Sequence, residues 1–238
     1  MENKQKENAI AIITARGGSK RIPKKNIKMF CGKPIIVYSI EAALKSGIFS
    51  EVMVSTDSEE IAQIAREYGA SVPFMRSEKT SGDYATTSDV IIEVLDRYQE
   101  CGRSFEYICC IYPTAPFITA QKLIQAYQLM VEKQPVEIMP VVPFSYPPQR
   151  CYVMEEEGTI RYKYPEYSLT RSQDLERQYH DAGQFYIYYE DKYLEAGGKV
   201  TEGVMPIIVP ELEVQDIDNE EDWKIAELKY KLMKEREC

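Results

Sequence analysis

Short apolar runs alternate with helix-like segments along the first two-thirds of this chain, and this alternation is the strongest constraint on its fold. Four largely apolar runs have the length of strands, and the first of them is continuous; they span residues 9–14, 51–56, 106–113 and 136–144. Helical patterns lie between these runs, at residues 34–47, 58–69, 88–102 and 120–134. Strands that alternate with helices of this length form βαβ units. The sequence therefore predicts an α/β fold with a mostly parallel sheet.

Local signals mark several helix ends. Pro34 falls in the first turn of the first helix and Gly47 lies just past its end, which is the usual asymmetry of the two residues. Asp57 is followed by Glu60 three residues later, a capping-box pattern that predicts Asp57 as the cap of the second helix. The fourth helix follows Thr119.

The alternation stops after Phe144. The following stretch, as far as Glu190, is rich in Tyr, Pro and charged residues and contains only short strand-like pieces. We interpret about residues 145–182 as an insertion arm within a single domain of residues 1–238. The main fold then resumes with residues 204–210, continues through 212–218, and ends in a helix from Asn219.

Three polar loops follow predicted strands. They are "ARGGSKRIPKKN" at residues 15–26, "RSEKTSGDYATT" at residues 76–87 and "YPTAP" at residues 112–116. In open parallel sheets, ligands bind in the crevice beyond the carboxyl ends of the strands. We therefore expect these loops to converge on one binding edge.

Composition excludes several classes of partner. The 238 residues carry a formal net charge of −9, which argues against a nucleic-acid partner. No apolar run approaches the roughly 20 residues that span a bilayer, and "MENKQKEN" at the N-terminus lacks the apolar core of a secretory signal. We expect a cytoplasmic protein with no membrane partner. Its cysteines are expected to be reduced thiols rather than metal or redox groups: Cys31, Cys101, Cys109, Cys110, Cys151 and Cys238.

The loop at residues 15–26 is strongly basic although the chain is acidic. It contains neither the Walker pattern nor the dinucleotide fingerprint. Gly17 and Gly18 allow backbone N–H groups to approach phosphate oxygens closely. Five side chains can neutralise a triphosphate: Arg16, Lys20, Arg21, Lys24 and Lys25. The pattern favours phosphate binding, and a solvated basic loop is the alternative.

From Ile10 to about Trp223 the chain resembles the CMP-sugar synthetases, the cytidylyltransferases that activate sialic acid and related nonulosonic acids. The motif A-R-x-x-S-K-x-x-P-x-K-N at residues 15–26 is specific to this group. "MRSEKTSGDYATT" resembles the cytidine-binding segment of the family, and "YPTAPF" resembles its "QPTSPL" segment, with Tyr112 in place of Gln. The resemblance implies a Rossmann-like, three-layer nucleotidyltransferase fold with an inserted dimerisation or lid arm.

The stretch "TRSQDLERQYHDAGQFY" at residues 170–186 resembles the pseudaminic acid branch of the family. The sialic acid branch has R-x-N-G where this chain has "HDAG". The resemblance thus implies the reaction of CTP with pseudaminic acid to give CMP-pseudaminic acid and pyrophosphate. Legionaminic acid, N-acetylneuraminic acid and the eight-carbon acid of lipopolysaccharide stay open as alternative sugars. A non-catalytic nucleotide-binding module also stays open, although such a module needs no pair of metal ligands.

The resemblance assigns roles around CTP. Arg16 and Lys25 occupy the catalytic basic positions, where we expect them to hold the α-phosphate and the charge that develops on it. The remaining expected CTP contacts are Ala15, Gly17, Ser19, Asn26, Arg76, Ala85 and Thr87. Loop capping is the alternative role of Ser19 and Asn26, and a surface ion pair is the alternative role of Arg76.

Asp216 and Asp218 resemble the terminal D-x-D metal site of the family. They lie at the end of a predicted strand, where residues two apart share a face. Such a pair can bind Mg²⁺ together with phosphate oxygens and water. Because Glu221 follows Asp218 at three residues, capping of the last helix is the alternative role of Asp218.

The expected partners of the enzyme are CTP, a nine-carbon acidic sugar and a second copy of the chain. The residues expected at the sugar are Tyr112, Arg171, Gln173, His180, Asp181 and Gln184. Arg171 can meet the sugar carboxylate in a bidentate pair. His180 is expected to contact the sugar, with structural hydrogen bonding or general-base catalysis as its alternatives. Tyrosines in the arm suit an interface in a homodimer, or packing on their own domain: Tyr146, Tyr152, Tyr162, Tyr164, Tyr167 and Tyr179.

Overall fold

The computed structural model describes residues 7–237. Its strands are β1 (Glu7–Thr14), β2 (Met29–Phe30), β3 (Lys33–Pro34), β4 (Glu51–Ser55), β5 (Phe105–Ile111), β6 (Glu137–Pro143), β7 (Tyr152–Met154), β8 (Ile160–Tyr162), β9 (Tyr179–Asp181), β10 (Phe185–Tyr189) and β11 (Val204–Ile208). Its helices are α1 (Ile35–Ser46), α2 (Glu59–Glu67), α3 (Glu78–Ser81), α4 (Thr87–Glu100), α5 (Ala120–Lys133), α6 (Glu190–Glu195) and α7 (Glu220–Glu237). The N-terminal residues examined for a secretory signal, up to residue 6, and Cys238 lie outside the described residues.

The main sheet confirms the predicted mostly parallel arrangement. Its strands lie in the order β11, β6, β10, β5, β1, β4, and β9 also pairs with β6. The pairs β11–β6, β5–β1 and β1–β4 are parallel. β10 runs antiparallel to both of its neighbours, so a strand from late in the chain occupies the middle of the sheet.

Strand β1 is buried on both faces, which explains its continuous apolar run. Ala11 and Ile13 belong to a cluster with residues of α1, α2 and α5. Ile10 and Ile12 belong to a second cluster with residues of α4 and α6. Because successive strand residues point to opposite faces, these two clusters place helices on both sides of the sheet. The three-layer architecture is thereby confirmed.

The C-terminal helix packs on the segment that follows the basic loop. Phe30 and Trp223 lie in a third buried cluster, with their ring centroids 5.6 Å apart in an edge-to-face contact. This contact brings residues 214–219, which precede α7, back to the carboxyl edge of β1.

Most of the helix-end signals hold in the structure. Gly47 ends α1 with a φ of 65°, and the Thr119 hydroxyl accepts the Lys122 N–H at 3.3 Å at the start of α5. Pro34 lies one position before the first residue of α1. The predicted cap of α2 is wrong, because Ser58 occupies the cap position and accepts the Ile61 N–H at 3.5 Å.

Two polar stretches differ from their sequence interpretation. The loop at residues 76–87 contains the single-turn helix α3. Residues 212–218 begin within a 3₁₀ turn, Glu211–Glu213, and continue without strand structure. The prediction that Asp216 and Asp218 end a strand is therefore wrong. These residues are held by the turn before them and by the start of α7 after them.

The stretch interpreted as an arm is built from short elements. β7 and β8 form an antiparallel hairpin in which the rings of Tyr152 and Tyr162 lie 4.4 Å apart. β9 returns the chain to the main sheet beside β6. Met154 and Ile160 are mostly exposed on the hairpin. None of the helices in residues 7–237 is both long enough and apolar enough to cross a membrane.

Candidate functional site

A cavity of about 510 Å³ opens at the carboxyl ends of β1, β4 and β5. The basic loop, residues 76–87 and residues 112–114 line it, so the three polar loops converge as expected. Eight residues predicted for CTP or sugar lie in its wall: Arg16, Ser19, Lys25, Asn26, Arg76, Ala85, Thr87 and Tyr112.

The basic loop is anchored by Asp57, which follows β4, and by Glu60 in the first turn of α2. The Gly17 N–H donates to Asp57 Oδ1 at 2.7 Å, and Lys24 Nζ lies 2.7 Å from Glu60 Oε2. The two residues that suggested a capping box thus hold the loop instead. A Cβ added to Gly17 would lie only 3.0 Å from Ser58 Cβ, so the glycine permits this close approach.

Asn26 ties the two ends of the basic loop together. Its Nδ2 donates to the Arg16 carbonyl at 2.8 Å, and its side chain is buried. This bond matches the loop-capping alternative for Asn26. Ala15, the first residue of the loop and a predicted CTP contact, is fully buried and does not line the cavity.

The cations that line the cavity are paired with carboxylates from other segments. Arg16 Nη1 and Lys20 Nζ contact the two oxygens of Asp83 at 3.2 and 2.5 Å. Arg21 Nη2 lies 2.7 Å from Asp218 Oδ1. These pairs are exposed, so a polyanion can displace the carboxylates at small cost.

Lys25 lies deeper than these cations. Its ammonium donates to the Ile217 carbonyl at 2.7 Å and lies 4.0 Å from Asp218 Oδ1. Burial lowers the pKa of Lys25, while the charges of Asp218 and Asp216 oppose that effect. The site therefore contains a cation with reduced hydration, facing two carboxylates.

Arg76 forms part of the cavity floor. It is buried, and its guanidinium donates to Ser55 Oγ at 3.1 Å and to the Ser55 carbonyl at 2.6 Å. Burial lowers its pKa, and the nearby carboxylate of Asp57 acts in the opposite direction. The surface ion-pair alternative for Arg76 is thus wrong, because the side chain is enclosed at the end of β4.

A chain of hydroxyl groups joins the cavity to the "HDAG" segment. The ring centroids of Tyr112 and Tyr186 lie 5.5 Å apart, and burial raises the pKa of Tyr112 while the Thr87 and Tyr186 hydroxyls act in the opposite direction. The Tyr186 hydroxyl donates to Asp181 Oδ2 at 2.5 Å, and the Gly183 N–H donates to Asp181 Oδ1 at 2.7 Å. Asp181 is therefore fixed in position although it does not line the cavity.

Gln184 supports the same region from within the fold. It is buried, its Nε2 donates to the Glu213 carbonyl at 2.6 Å, and its backbone carbonyl accepts the Tyr112 N–H at 2.9 Å. It does not line the cavity either.

The other predicted sugar residues lie on the arm. Arg171 Nε donates to Asp174 Oδ2 at 2.7 Å, and Gln173 lines a separate cavity of about 510 Å³ between the start of the arm and residues 172–178. His180 packs against Phe144 with ring centroids 4.8 Å apart, and its Nδ1 lies 2.9 Å from the Asp181 carbonyl. The structure thus does not bring these three residues into the wall of the cavity.

The capping alternative for Asp218 is wrong. Asn219 Oδ1 accepts the Asp222 N–H at 3.0 Å, and Asp222 Oδ2 accepts the Asn219 N–H at 3.0 Å, so these two residues cap α7. Asp218 is left to face Arg21 and Lys25. Residues 7–237 contain no cluster of three or more His, Cys, Asp or Glu residues that could hold a metal. Two carboxylates together with substrate phosphates are a donor set that suits Mg²⁺.

Sequence reasoning missed several cavity residues. Thr14, Thr80, Asp83 and Thr114 line the cavity, and Tyr186 joins it to Asp181. All except Tyr186 lie within or beside the three polar loops, so the strand ends were the available signal. Their partners come from segments distant in sequence, and no local pattern identifies such contacts.

Comparisons with known proteins agree with this geometry. The sequence profile of the family described as cytidylyltransferase matches residues 10–201. Pseudaminic acid cytidylyltransferase of Campylobacter jejuni is 40% identical over 223 residues, which cover 94% of this chain and 96% of that protein. CMP-N,N'-diacetyllegionaminic acid synthase of Legionella pneumophila is 33% identical over 235 residues, covering 95% and 97% of the two chains. A solved CMP:2-keto-3-deoxy-manno-octonic acid synthetase complexed with CTP shares the fold, with a TM-score of 0.66, 18% identity and coverage of 96% and 100%.

Proposed function

The chain belongs to the cytidylyltransferase family, and on that premise we propose that it transfers CMP from CTP to the anomeric hydroxyl of pseudaminic acid. The products are CMP-pseudaminic acid and pyrophosphate. One observation carries the proposal: the family's basic loop and cytidine segment line one cavity, in a chain that is 40% identical to a pseudaminic acid cytidylyltransferase over nearly its whole length.

In this mechanism the sugar hydroxyl attacks the α-phosphorus of CTP and pyrophosphate leaves. Negative charge accumulates on the phosphoryl oxygens, so catalysis depends on positioning and electrostatic stabilisation. Arg16 and Lys25 hold the α-phosphate, and the partly buried Lys25 interacts more strongly than an exposed cation because less water screens it. Ser19, Lys20 and Arg21 line the same cavity and contact the remaining phosphates, whereas Gly17, whose N–H is bonded to Asp57, does not line it.

Residues 76–87 hold the nucleoside. Arg76 fixes the floor at the end of β4, and Ala85 and Thr87 form a narrow wall at the start of α4. Ala85 and Thr87 line the cavity at positions that match the cytosine and ribose contacts of the family. We expect CTP to be preferred over ATP and GTP for this reason.

We propose that Asp216 and Asp218 hold Mg²⁺ together with the phosphates. The cation would neutralise phosphate charge and help to activate the attacking hydroxyl. The charge of both carboxylates acts on Lys25, which supports their nearness to the phosphate region. Asp216→Asn should therefore raise the Mg²⁺ concentration that gives half-maximal turnover. Turnover near that of the wild type at limiting Mg²⁺ would contradict the metal role.

The acidic sugar is proposed to bind between Tyr112, Asp181 and residues of the arm. Arg171 and Gln173 do not line the CTP cavity of their own chain, so we propose that they complete the cavity of a second copy in a homodimer. The exposure of Tyr146 and Tyr152 supports such an interface. A monomeric mass at micromolar protein would contradict it.

We also propose a cytoplasmic location, because the five described cysteines are free and CTP is an intracellular nucleotide.

Identification of the product tests the reaction itself. The protein is incubated with pseudaminic acid, Mg²⁺ and one nucleotide at a time: CTP, UTP, ATP or GTP. We expect mass spectrometry to show a CMP–sugar conjugate in the reaction with CTP and no nucleotide–sugar conjugate in the reactions with UTP, ATP or GTP. Equal conjugation of a purine nucleotide would contradict the roles given to Arg76, Ala85 and Thr87.

A further inference from the structure

The cavity proposed for a triphosphate contains a carboxylate, that of Asp83, bonded to two of its cations. Asp83 lines the cavity together with Arg16, Ser19 and Lys20. One of its oxygens lies 3.2 Å from Arg16 Nη1, and the other lies 2.5 Å from Lys20 Nζ. Hydrogen bonding and the charge of Lys20, followed by the charge of Arg16, lower the pKa of Asp83, so the group is ionised at neutral pH.

Asp83 and the phosphates require the same donors. The Asp83 oxygens are bonded to the cations from the side of the cavity, where phosphate oxygens would be held. Asp57 differs in this respect, because it binds a backbone N–H and does not line the cavity. Lys24 and Glu60 also pair away from the cavity wall.

We propose that Asp83 is an internal counter-ion that competes with CTP and pyrophosphate for Arg16 and Lys20. This inference rests on the proposed function. In the free protein Asp83 neutralises the cations and limits their mutual repulsion. When CTP enters, the triphosphate displaces Asp83; after transfer, Asp83 competes with pyrophosphate and assists its release.

Such competition weakens ground-state binding. Binding substrate and transition state equally tightly lowers KM without raising kcat, and a tightly held product slows turnover. Asp83 weakens the binding of phosphate by Arg16 and Lys20, whereas Lys25 is bonded to the Ile217 carbonyl and not to Asp83. The counter-ion therefore acts on Arg16, at the α-phosphate, and on Lys20, which we place at the phosphates that leave as pyrophosphate.

The test measures binding without catalysis. Calorimetry with the full chain in Mg²⁺ buffer gives Kd for CTP and for pyrophosphate, in the absence of sugar. Asp83→Asn keeps the size of the side chain but removes its charge. We expect this variant to bind both ligands about two- to tenfold more tightly than the wild type, the range suited to exposed ion pairs. Glu78→Gln is the matched control, since it removes an exposed carboxylate from the neighbouring helix α3 without touching the cavity.

Turnover provides a second readout. Asp83→Asn should show a lower inhibition constant for pyrophosphate by about the same factor, while Glu78→Gln matches the wild type. If the wild type binds CTP and pyrophosphate, and Asp83→Asn binds them equally or more weakly, the inference is overturned while the proposed function stands. If neither protein binds CTP or pyrophosphate, the proposed function fails together with it.

Discussion

Lys25 is less exposed than the cavity cations around it. Its side chain is 21% exposed, whereas those of Arg16, Lys20 and Arg21 are 44%, 78% and 68% exposed. Burial strengthens its interaction with an anion and at the same time makes its own charge less stable. The lysine that we propose to stabilise the phosphoryl charge thus also loses its own charge more readily at alkaline pH.

This burial predicts a pH dependence. Lys25 is cationic below its pKa, and that pKa is lowered by burial, so activity should fall on the alkaline side earlier than for an ordinary lysine. Lys25→Arg keeps a charge that does not titrate in this range. The kcat/KM of this variant should therefore not fall at alkaline pH as that of the wild type does, whatever its maximum value. An unchanged alkaline limb in Lys25→Arg would contradict the assignment.

Asp57 provides a second prediction at the residue scale. Its bond to the Gly17 N–H holds the loop that carries Arg16. Asp57→Ala should reduce kcat/KM for CTP by about three- to tenfold, because the loop loses one hydrogen bond. Asp57→Asn keeps an acceptor oxygen and should stay near the wild type. Equal losses in both variants would show that the charge matters and the hydrogen bond does not.

Asp57 also shows where sequence reading was limited. The spacing of Asp57 and Glu60 fits a capping box, but both side chains turn toward the basic loop, and Ser58 caps the helix. Local spacing describes contacts within one element. It does not record that another loop, distant in sequence, offers a better donor.

At the scale of elements, the strand–helix alternation was predictable because each element is long and its apolar pattern is strong. β10 was not predicted, since its position between β5 and β6 depends on antiparallel pairing over long sequence separations. The coil at residues 214–218 was also missed, because its shape is set by the docking of α7 through Trp223. Tertiary contacts override local patterns in both cases.

Helix α4 predicts a link between capping and binding. Thr86 and Asp89 form a capping box at its start, and Thr86 lines the cavity. Thr86→Ala should cost about 1 kcal/mol of unfolding free energy and also raise KM for CTP. Thr119→Ala removes a comparable cap from α5, outside the cavity, and should cost stability alone. Denaturant unfolding gives the stability of the two variants, and steady-state kinetics gives their KM for CTP. The same KM in both variants would contradict the link between capping and binding.

At the scale of the whole molecule, the main sheet contains a buried acid between β6 and β10. Glu137 is 5% exposed at the start of β6, opposite Tyr188 of β10. Burial raises the pKa of Glu137 to about 7, against the lowering effect of its hydrogen bond with Tyr188, and Asp181 adds to the rise. The native sheet therefore holds a proton that the unfolded chain releases at much lower pH.

The sign of this effect gives a stability prediction. Because the folded-state pKa lies above the unfolded value, the contribution of Glu137 to stability is complete below the unfolded pKa and is lost as pH rises through about 7. Glu137→Gln does not titrate. The Tm of the wild type relative to this variant should therefore decrease from about pH 4.5 to about pH 7 and change little at higher pH. A difference that does not change with pH would contradict the prediction.

The proposed transfer of CMP from CTP to pseudaminic acid is a property of the whole enzyme. The most direct measurement is pyrophosphate release from CTP and Mg²⁺, with pseudaminic acid, with N-acetylneuraminic acid and with no sugar. We expect release with pseudaminic acid and background release in the other two reactions. Release with N-acetylneuraminic acid but not with pseudaminic acid would contradict the proposed substrate.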